Sequence, residues 1–222
     1  MKREEIQIPD GGEPKPFFYV TLENAQDGIV DVTGNYAHVN TGINSLKIET
    51  VGGICGSSLI QSGGSLVKPR WIINRPLKFT FSCLCYLRGA HGHGWCWEYR
   101  NQADTNWLVG GATSHGGNAR KVSFSATGSN NSFFTPPSTN VWYHFAMTIS
   151  GGVCKQFMNG ALVKTTNMNN GINDTTIFSD FSFRYQSSDN YNNSSSVFRN
   201  VKLFEPLDDS IISQLYEIEK LW

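Results

Sequence analysis

Apolar and polar positions alternate with period two along much of the chain, the pattern of strands with one buried face. The clearest run is residues 141–166, VWYHFAMTISGGVCKQFMNGALVKTT. Val141, Tyr143, Phe145, Met147 and Ile149 fall on one side of an extended segment. Gly151-Gly152 then turns the chain, a second short strand runs to Met158, and Asn159-Gly160 turns it again. Asn-Gly between apolar runs is a strong hairpin signal, because both central positions of a type I′ turn need φ > 0. The segment therefore predicts a three-stranded antiparallel meander.

Other strands follow by the same rule. Residues 17–22 read as the first, and 45–50 and 57–62 as short strands between Gly-rich turns. Over 77–88, Leu77, Phe79, Phe81, Cys83, Cys85 and Leu87 share a face, against Lys78, Thr80 and Ser82. This register places Cys83 and Cys85 in the core. Trp95, Trp97 and Tyr99 share a face of the next strand; 107–109 and 122–126 follow, split by a Gly-rich loop at 110–118. Phe181, Phe183 and Tyr185 alternate in a further strand, and after the polar loop 187–196 the last strand spans 197–204. The period then changes. Asp208 is a good N-cap, and Ile211, Leu215 and Ile218 recur at helical spacing, predicting a helix over 208–221. A dozen short strands are too many for one open sheet, so two packed sheets are expected. Residues 1–16, charged and then rich in Gly and Pro, read as a flexible arm or linker, and 17–222 as one domain.

Three landmarks in this order resemble a known family. They are Asp31-x-Thr33-Gly34-Asn35 after the first strand; Trp142-x-His144-Phe145-Ala146 with a Gly-rich turn and Phe157-Met158-Asn159-Gly160-x-Leu162-Val163; and a terminal strand and helix around 200–216. Together they resemble the laminin-G-like, concanavalin A-like lectin/glucanase superfamily. The resemblance implies an all-β jelly-roll sandwich of two antiparallel sheets with a short C-terminal helix. It also implies non-catalytic recognition, most often of carbohydrate. Many relatives bind Ca²⁺ through Asp and Asn, which by resemblance marks Asp27, Asp31 and Asn35, with Asp174 or Asp180 as partners.

Composition narrows the partners. Eighteen basic and eighteen acidic side chains give no net charge, so the basic footprint of a nucleic-acid or anionic-membrane binder is missing. No stretch approaches the roughly 18 apolar residues of a membrane span. The N-terminus carries no apolar signal region, and five cysteines form no framework, so reduced, mostly buried thiols are expected.

Catalytic signatures are absent. The superfamily's glucanases carry Glu-x-Asp-x-x-Glu on one strand, whereas here Glu98 is the lone acid of the aromatic strand. There is no Gly-x-Ser-x-Gly, and His144 inside its strand reads as a packing residue. His91 and His93, flanked by glycines, read as loop residues rather than zinc ligands. Sugar rings present apolar C–H faces and a rim of hydroxyls, so a glycan site combines aromatic platforms with polar hydrogen-bonders. Trp95, Trp97, Tyr99 and Trp107, beside His91, His93, Arg100 and the loop residue Tyr191, supply that mixture. The competing reading puts the alternating aromatics in the core.

The expectation is thus a carbohydrate-binding adhesion or decoration module, non-enzymatic, with Ca²⁺ as a candidate cofactor. A lectin-like chain without a secretion signal fits display on a virus particle, such as a phage virion. Residues 1–16 would then contact capsid or tail proteins within a homo-oligomer. The alternatives are a structural or protein–protein module of the same fold, a glycoside hydrolase, and an extracellular fragment of a longer secreted protein.

Overall fold

Alternation gives each strand one apolar side, and two such sides leave water together only by packing sheet on sheet. The computed structural model describes residues 14–21, 30–37, 52–53, 70–87, 97–101, 107–114, 120–126, 132–134, 138, 140–168, 175–183 and 196–220. In chain order the strands are β1 (Phe18–Val20), β2 (Arg70–Pro76), β3 (Phe79–Leu87), β4 (Trp97–Arg100), β5 (Trp107–Ser114) and β6 (Arg120–Ala126). They continue as β7 (Ser132–Phe134), β8 (Val141–Ser150), β9 (Val153–Met158), β10 (Ala161–Asn167), β11 (Ile177–Phe183) and β12 (Ser196–Phe204), and end in helix α1 (Asp209–Glu219). Among the described residues they form two six-stranded sheets: sheet A in the order β1-β12-β3-β8-β9-β10, and sheet B in the order β2-β11-β4-β5-β6-β7. Every pairing is antiparallel. This is the all-β sandwich with a short C-terminal helix that the sequence predicts.

The meander forms as expected. Asn159 and Gly160 have φ of 50° and 74°, and Gly151 and Gly152 have 60° and 70°. Cys83, Cys85 and Cys154 are buried as thiols. Four elements differ from expectation. Strands β2 and β7 were not read from the sequence, although Trp71 and Ile73 alternate inward in β2. Gly110 and Gly111, assigned to a loop, lie within β5, because pairing with β6 as far as Ser114 holds that backbone extended. Helix α1 buries Ile212, Leu215 and Glu219 rather than Ile211, Leu215 and Ile218. The face is rotated because Glu219 turns inward to Lys202. The strands expected at 45–50 and 57–62 lie outside the described residues.

Aromatic rings from both sheets fill the interior. Phe81 of sheet A stacks on Trp97 of sheet B at 4.6 Å, and Phe79 meets Tyr99 edge-on at 5.6 Å. Phe18 touches Trp71 at 5.1 Å and Phe181 at 5.3 Å. In β12 the register shifts between Arg199 and Lys202, with Asn200 at φ 52°. This bulge keeps Phe198, Val201 and Leu203 all in the core.

Helix α1 covers the outer face of sheet A. Ile212 packs on Ala146 and Phe157, with Leu207 alongside. The close approach needs a glycine: a Cβ on Gly160 would stand 3.0 Å from Ser213 Cα, and Ser213 Oγ donates to Gly160 O at 2.8 Å. Lys202 Nζ pairs with buried Glu219 Oε1 at 2.8 Å. His144 lies beneath the same helix, 1% exposed, with Nε2 and Ser82 Oγ 2.9 Å apart and Nδ1 without a partner. Burial, and then the Lys202 charge, lower its pKa to about 3. The packing role expected of His144 is its role in the fold.

The folded chain therefore holds His144 neutral, whereas the unfolded chain takes up a proton below about pH 6.5. Acid favours the unfolded state, so the stability that neutral His144 contributes above pH 6.5 is lost progressively as pH falls toward 3. Urea unfolding at pH 7 and pH 4.5 should show a loss at acid pH that is smaller in His144→Gln. Equal pH dependence of the two proteins would contradict this.

Candidate functional site

The aromatic strand was the leading glycan candidate, and its rings divide. Trp97 and Tyr99 are each 1% exposed and lie between the sheets. The Tyr99 hydroxyl donates to Ile73 O at 2.5 Å, and burial pushes its pKa up. Neither ring can stack on a sugar, and both are corrected to core residues. The alternation that placed them on one face was right, but that face points inward. His91, His93, Trp95, Tyr191, Asp27 and Asp174 lie outside the described residues, and of Trp107 only the backbone is described.

Because Trp97 and Tyr99 point inward, Arg100 points outward. On β11, Phe181 is inward and Asp180 outward; on β2, Trp71 and Ile73 are inward and Arg70 and Ile72 outward. Backbone register aligns these positions: Ile72 opposes Asp180, Asp180 opposes Arg100, and Arg100 opposes Trp107. Directly opposed residues of an antiparallel pair belong to the same sheet face. One cross-strand row, Ile72–Asp180–Arg100–Trp107, thus runs across the outer face of sheet B. Arg70 closes on Asp180 with an Nη2–Oδ2 distance of 2.5 Å, their side chains 48% and 20% exposed. Ile72 is 39% exposed. The row carries an acceptor, two fork-shaped donors, an aliphatic group and a tryptophan position. Two members, Arg100 and Trp107, were candidates from sequence. Arg70 and Ile72 were missed, and Asp180 was named only as a metal partner.

Of the calcium candidates, Asp31, Asn35 and Asp180 lie among the described residues. Asp31 is 3% exposed, and its carboxylate accepts from the N–H groups of Tyr19, Thr33 and Tyr36 and from Thr33 Oγ1, at 2.7–3.1 Å. Ca²⁺ requires oxygen ligands around it. Here N–H dipoles occupy those directions and bind the carboxylate into the turn at residues 31–36, tying it back to Tyr19 of β1. Asn35 Nδ2 donates to Phe17 O at 3.0 Å, and Asp180 is engaged by Arg70. Asp31 is therefore corrected from metal ligand to structural anchor. Among the described residues no three His, Cys, Asp or Glu side chains cluster as a metal would require, and no helix is long and apolar enough to cross a membrane.

No protein-family model matches the sequence, and no curated protein matches it. Solved structures do. The botulinum neurotoxin serotype D binding domain is similar with a TM-score of 0.65 at 14% identity over 93% of this chain. The serotype D ligand-binding domain in complex with N-acetylneuraminic acid gives a TM-score of 0.60 at 14% identity, again over 93% of this chain. This chain spans about half the length of those domains, 52% and 51%. Domain 4 of AbnA, an extracellular GH43 arabinanase from Geobacillus stearothermophilus, in complex with arabinotriose, gives a TM-score of 0.60 at 13% identity. There 92% of this chain covers all of that one. The shared property is the fold.

Two outcomes follow. Trp97→Ala removes a ring packed on Phe81 and Phe181 and should cost about 3–5 kcal/mol of folding free energy. Chemical denaturation measures this, and a near-neutral result would put the ring outside the core. Asp31→Ala should destabilise by about 2 kcal/mol or more, since several donors lose their acceptor. The wild-type melting temperature should be unchanged by EDTA; a drop with EDTA would return the site to a cation.

Proposed function

We propose that the protein is a non-catalytic recognition module that binds carbohydrate on the outer face of sheet B. The observation that carries this reading is the register row Ile72–Asp180–Arg100–Trp107 with Arg70 beside Asp180. A sugar offers vicinal hydroxyls, which pair with a carboxylate and a guanidinium together, and a C–H face, which stacks on an indole. The register sets Asp180, Arg100 and the backbone position of Trp107 on neighbouring strands, about 4.8 Å from one to the next.

On sheet A, helix α1 covers Ala146 of β8 and Phe157 of β9. The fold shared with an arabinotriose-bound domain and an N-acetylneuraminic acid-bound domain supports carbohydrate as the ligand class. Groups fixed on strands are also better aimed than groups on loops.

A glycan-array screen of the purified protein tests the reading. Selective binding is expected, reduced roughly tenfold or more by Trp107→Ala and by Arg100→Ala, and insensitive to EDTA. No binding from a folded, monodisperse sample would favour a structural or protein–protein module. Binding that survives both substitutions would move the site off sheet B.

A further inference from the structure

A second candidate surface lies on the outer side of sheet A. The first turn of α1, the connector before it and the outer face of the β8–β9 hairpin enclose a cleft of about 190 Å³. Drug-sized ligands occupy pockets of roughly 300 Å³ upward, so this cleft has room for one small ring. Val153, Pro206 and Leu207 give it an apolar wall, Thr148 and Ser150 contribute hydroxyls, and Lys155, Asp208 and Asp209 contribute charge.

Thr80 Oγ1, fully buried, accepts the Leu207 N–H at 2.9 Å and lies 2.9 Å from Thr148 Oγ1. If Thr148 donated to Thr80, the Thr80 proton would be stranded without an acceptor, at a cost of about 1–3 kcal/mol. Thr80 therefore donates to Thr148. The hydroxyl of Thr148, a residue 8% exposed that lines the cleft, then keeps its own proton for another acceptor. It is a nearly buried donor available to a ligand in the cleft.

The other groups narrow the ligand. Lys155 Nζ donates to both carboxylate oxygens of Asp209, at 2.8 and 3.0 Å, and the two side chains are 40% and 48% exposed. Their outward lone pairs and protons match adjacent hydroxyls, one donating and one accepting. Asp208 stands at the helix N-cap position, yet its side chain makes no capping hydrogen bond, so its carboxylate oxygens remain as acceptors. One lysine against two aspartates leaves the lining with a formal charge of −1, which disfavours anions. We infer that this cleft binds a single neutral sugar ring or a polyol of similar size, as a site separate from the sheet B row. The choice of ligand class rests on the carbohydrate reading above; the geometry of the cleft does not.

The test is an NMR titration of the full ¹⁵N-labelled chain with methyl glycosides of glucose, galactose, mannose and arabinose, and with glucuronic and galacturonic acids. At least one neutral glycoside should shift the amides of Thr148, Lys155, Leu207 and Asp209, with affinity at least roughly tenfold above that of the uronic acids. Thr148→Val and Lys155→Met should each weaken the neutral ligand roughly tenfold, and Arg100→Ala should leave it unchanged. Lys155→Met alters the rim and so serves even if Thr148→Val disturbs folding. Shifts confined to residues 70–72, 100, 107 and 180 would overturn the cleft and leave the recognition reading standing. Equal binding of uronic acids, or retention in both cleft variants, would also overturn the cleft proposal. No shift anywhere would overturn both.

Discussion

The molecule depends on one packed layer of aromatic rings. Phe181, from the strand between β2 and β4, touches Phe18 at 5.3 Å, Trp71 at 6.4 Å, Trp97 at 6.3 Å, Tyr99 at 5.9 Å and Phe183 at 5.8 Å. These distances span both sheets, so the layer fixes their separation and the inward side of every strand it includes. Side chains alternate, so fixing which residues face in also fixes which face out. Asp180 faces outward because Phe181 does not. A slip of one residue in β11 would bury the carboxylate and expose the ring, which the core makes far too costly.

The two outer faces are then treated differently. Sheet A carries Ala146 and Phe157 outward, and α1 covers them with Ile212. Polar groups caught beneath the helix are mostly matched: Ser82 with His144, Thr80 with Thr148, and Lys202 with Glu219. A buried ion pair of this kind is a weak source of stability, but it selects which helical face turns inward. Sheet B keeps a mixed outer row, with charges next to Ile72 and the Trp107 position. An edge strand such as β10 exposes Leu162 and Val163, and the register shift between Leu162 and Lys164 works against pairing with another strand there.

Much of this was legible in the sequence, and the failures have physical causes. The meander β8–β10 followed from alternation and from Asn159-Gly160, because local turn chemistry and local pattern agree there. Strand β3 and the burial of Cys83 and Cys85 were read for the same reason. Strand β2 was hidden because Ile72 and Ile73 are adjacent and Pro69 and Pro76 bracket it, which breaks the two-residue pattern. The helix face was misjudged because hydropathy placed Glu219 outside, whereas a partner on β12, Lys202, draws it in. Trp97 and Tyr99 were correctly placed together, but alternation cannot say whether an aromatic face looks at a ligand or at another sheet. The row with Arg100 and Asp180 was invisible because its members are far apart in sequence and meet only through strand order. Asp31 looked like a cation ligand by residue type, and only the N–H groups around it show that its charge is already answered.

A co-crystal structure shows directly whether the outer face of sheet B, turned outward by the aromatic layer, reads a ligand. The crystal would contain the oligosaccharide that binds most tightly in solution. A sugar ring is expected over Trp107, with its hydroxyls within hydrogen-bonding distance of Arg100 and Asp180. A saccharide bound without contact to any residue of the Ile72–Asp180–Arg100–Trp107 row would contradict it.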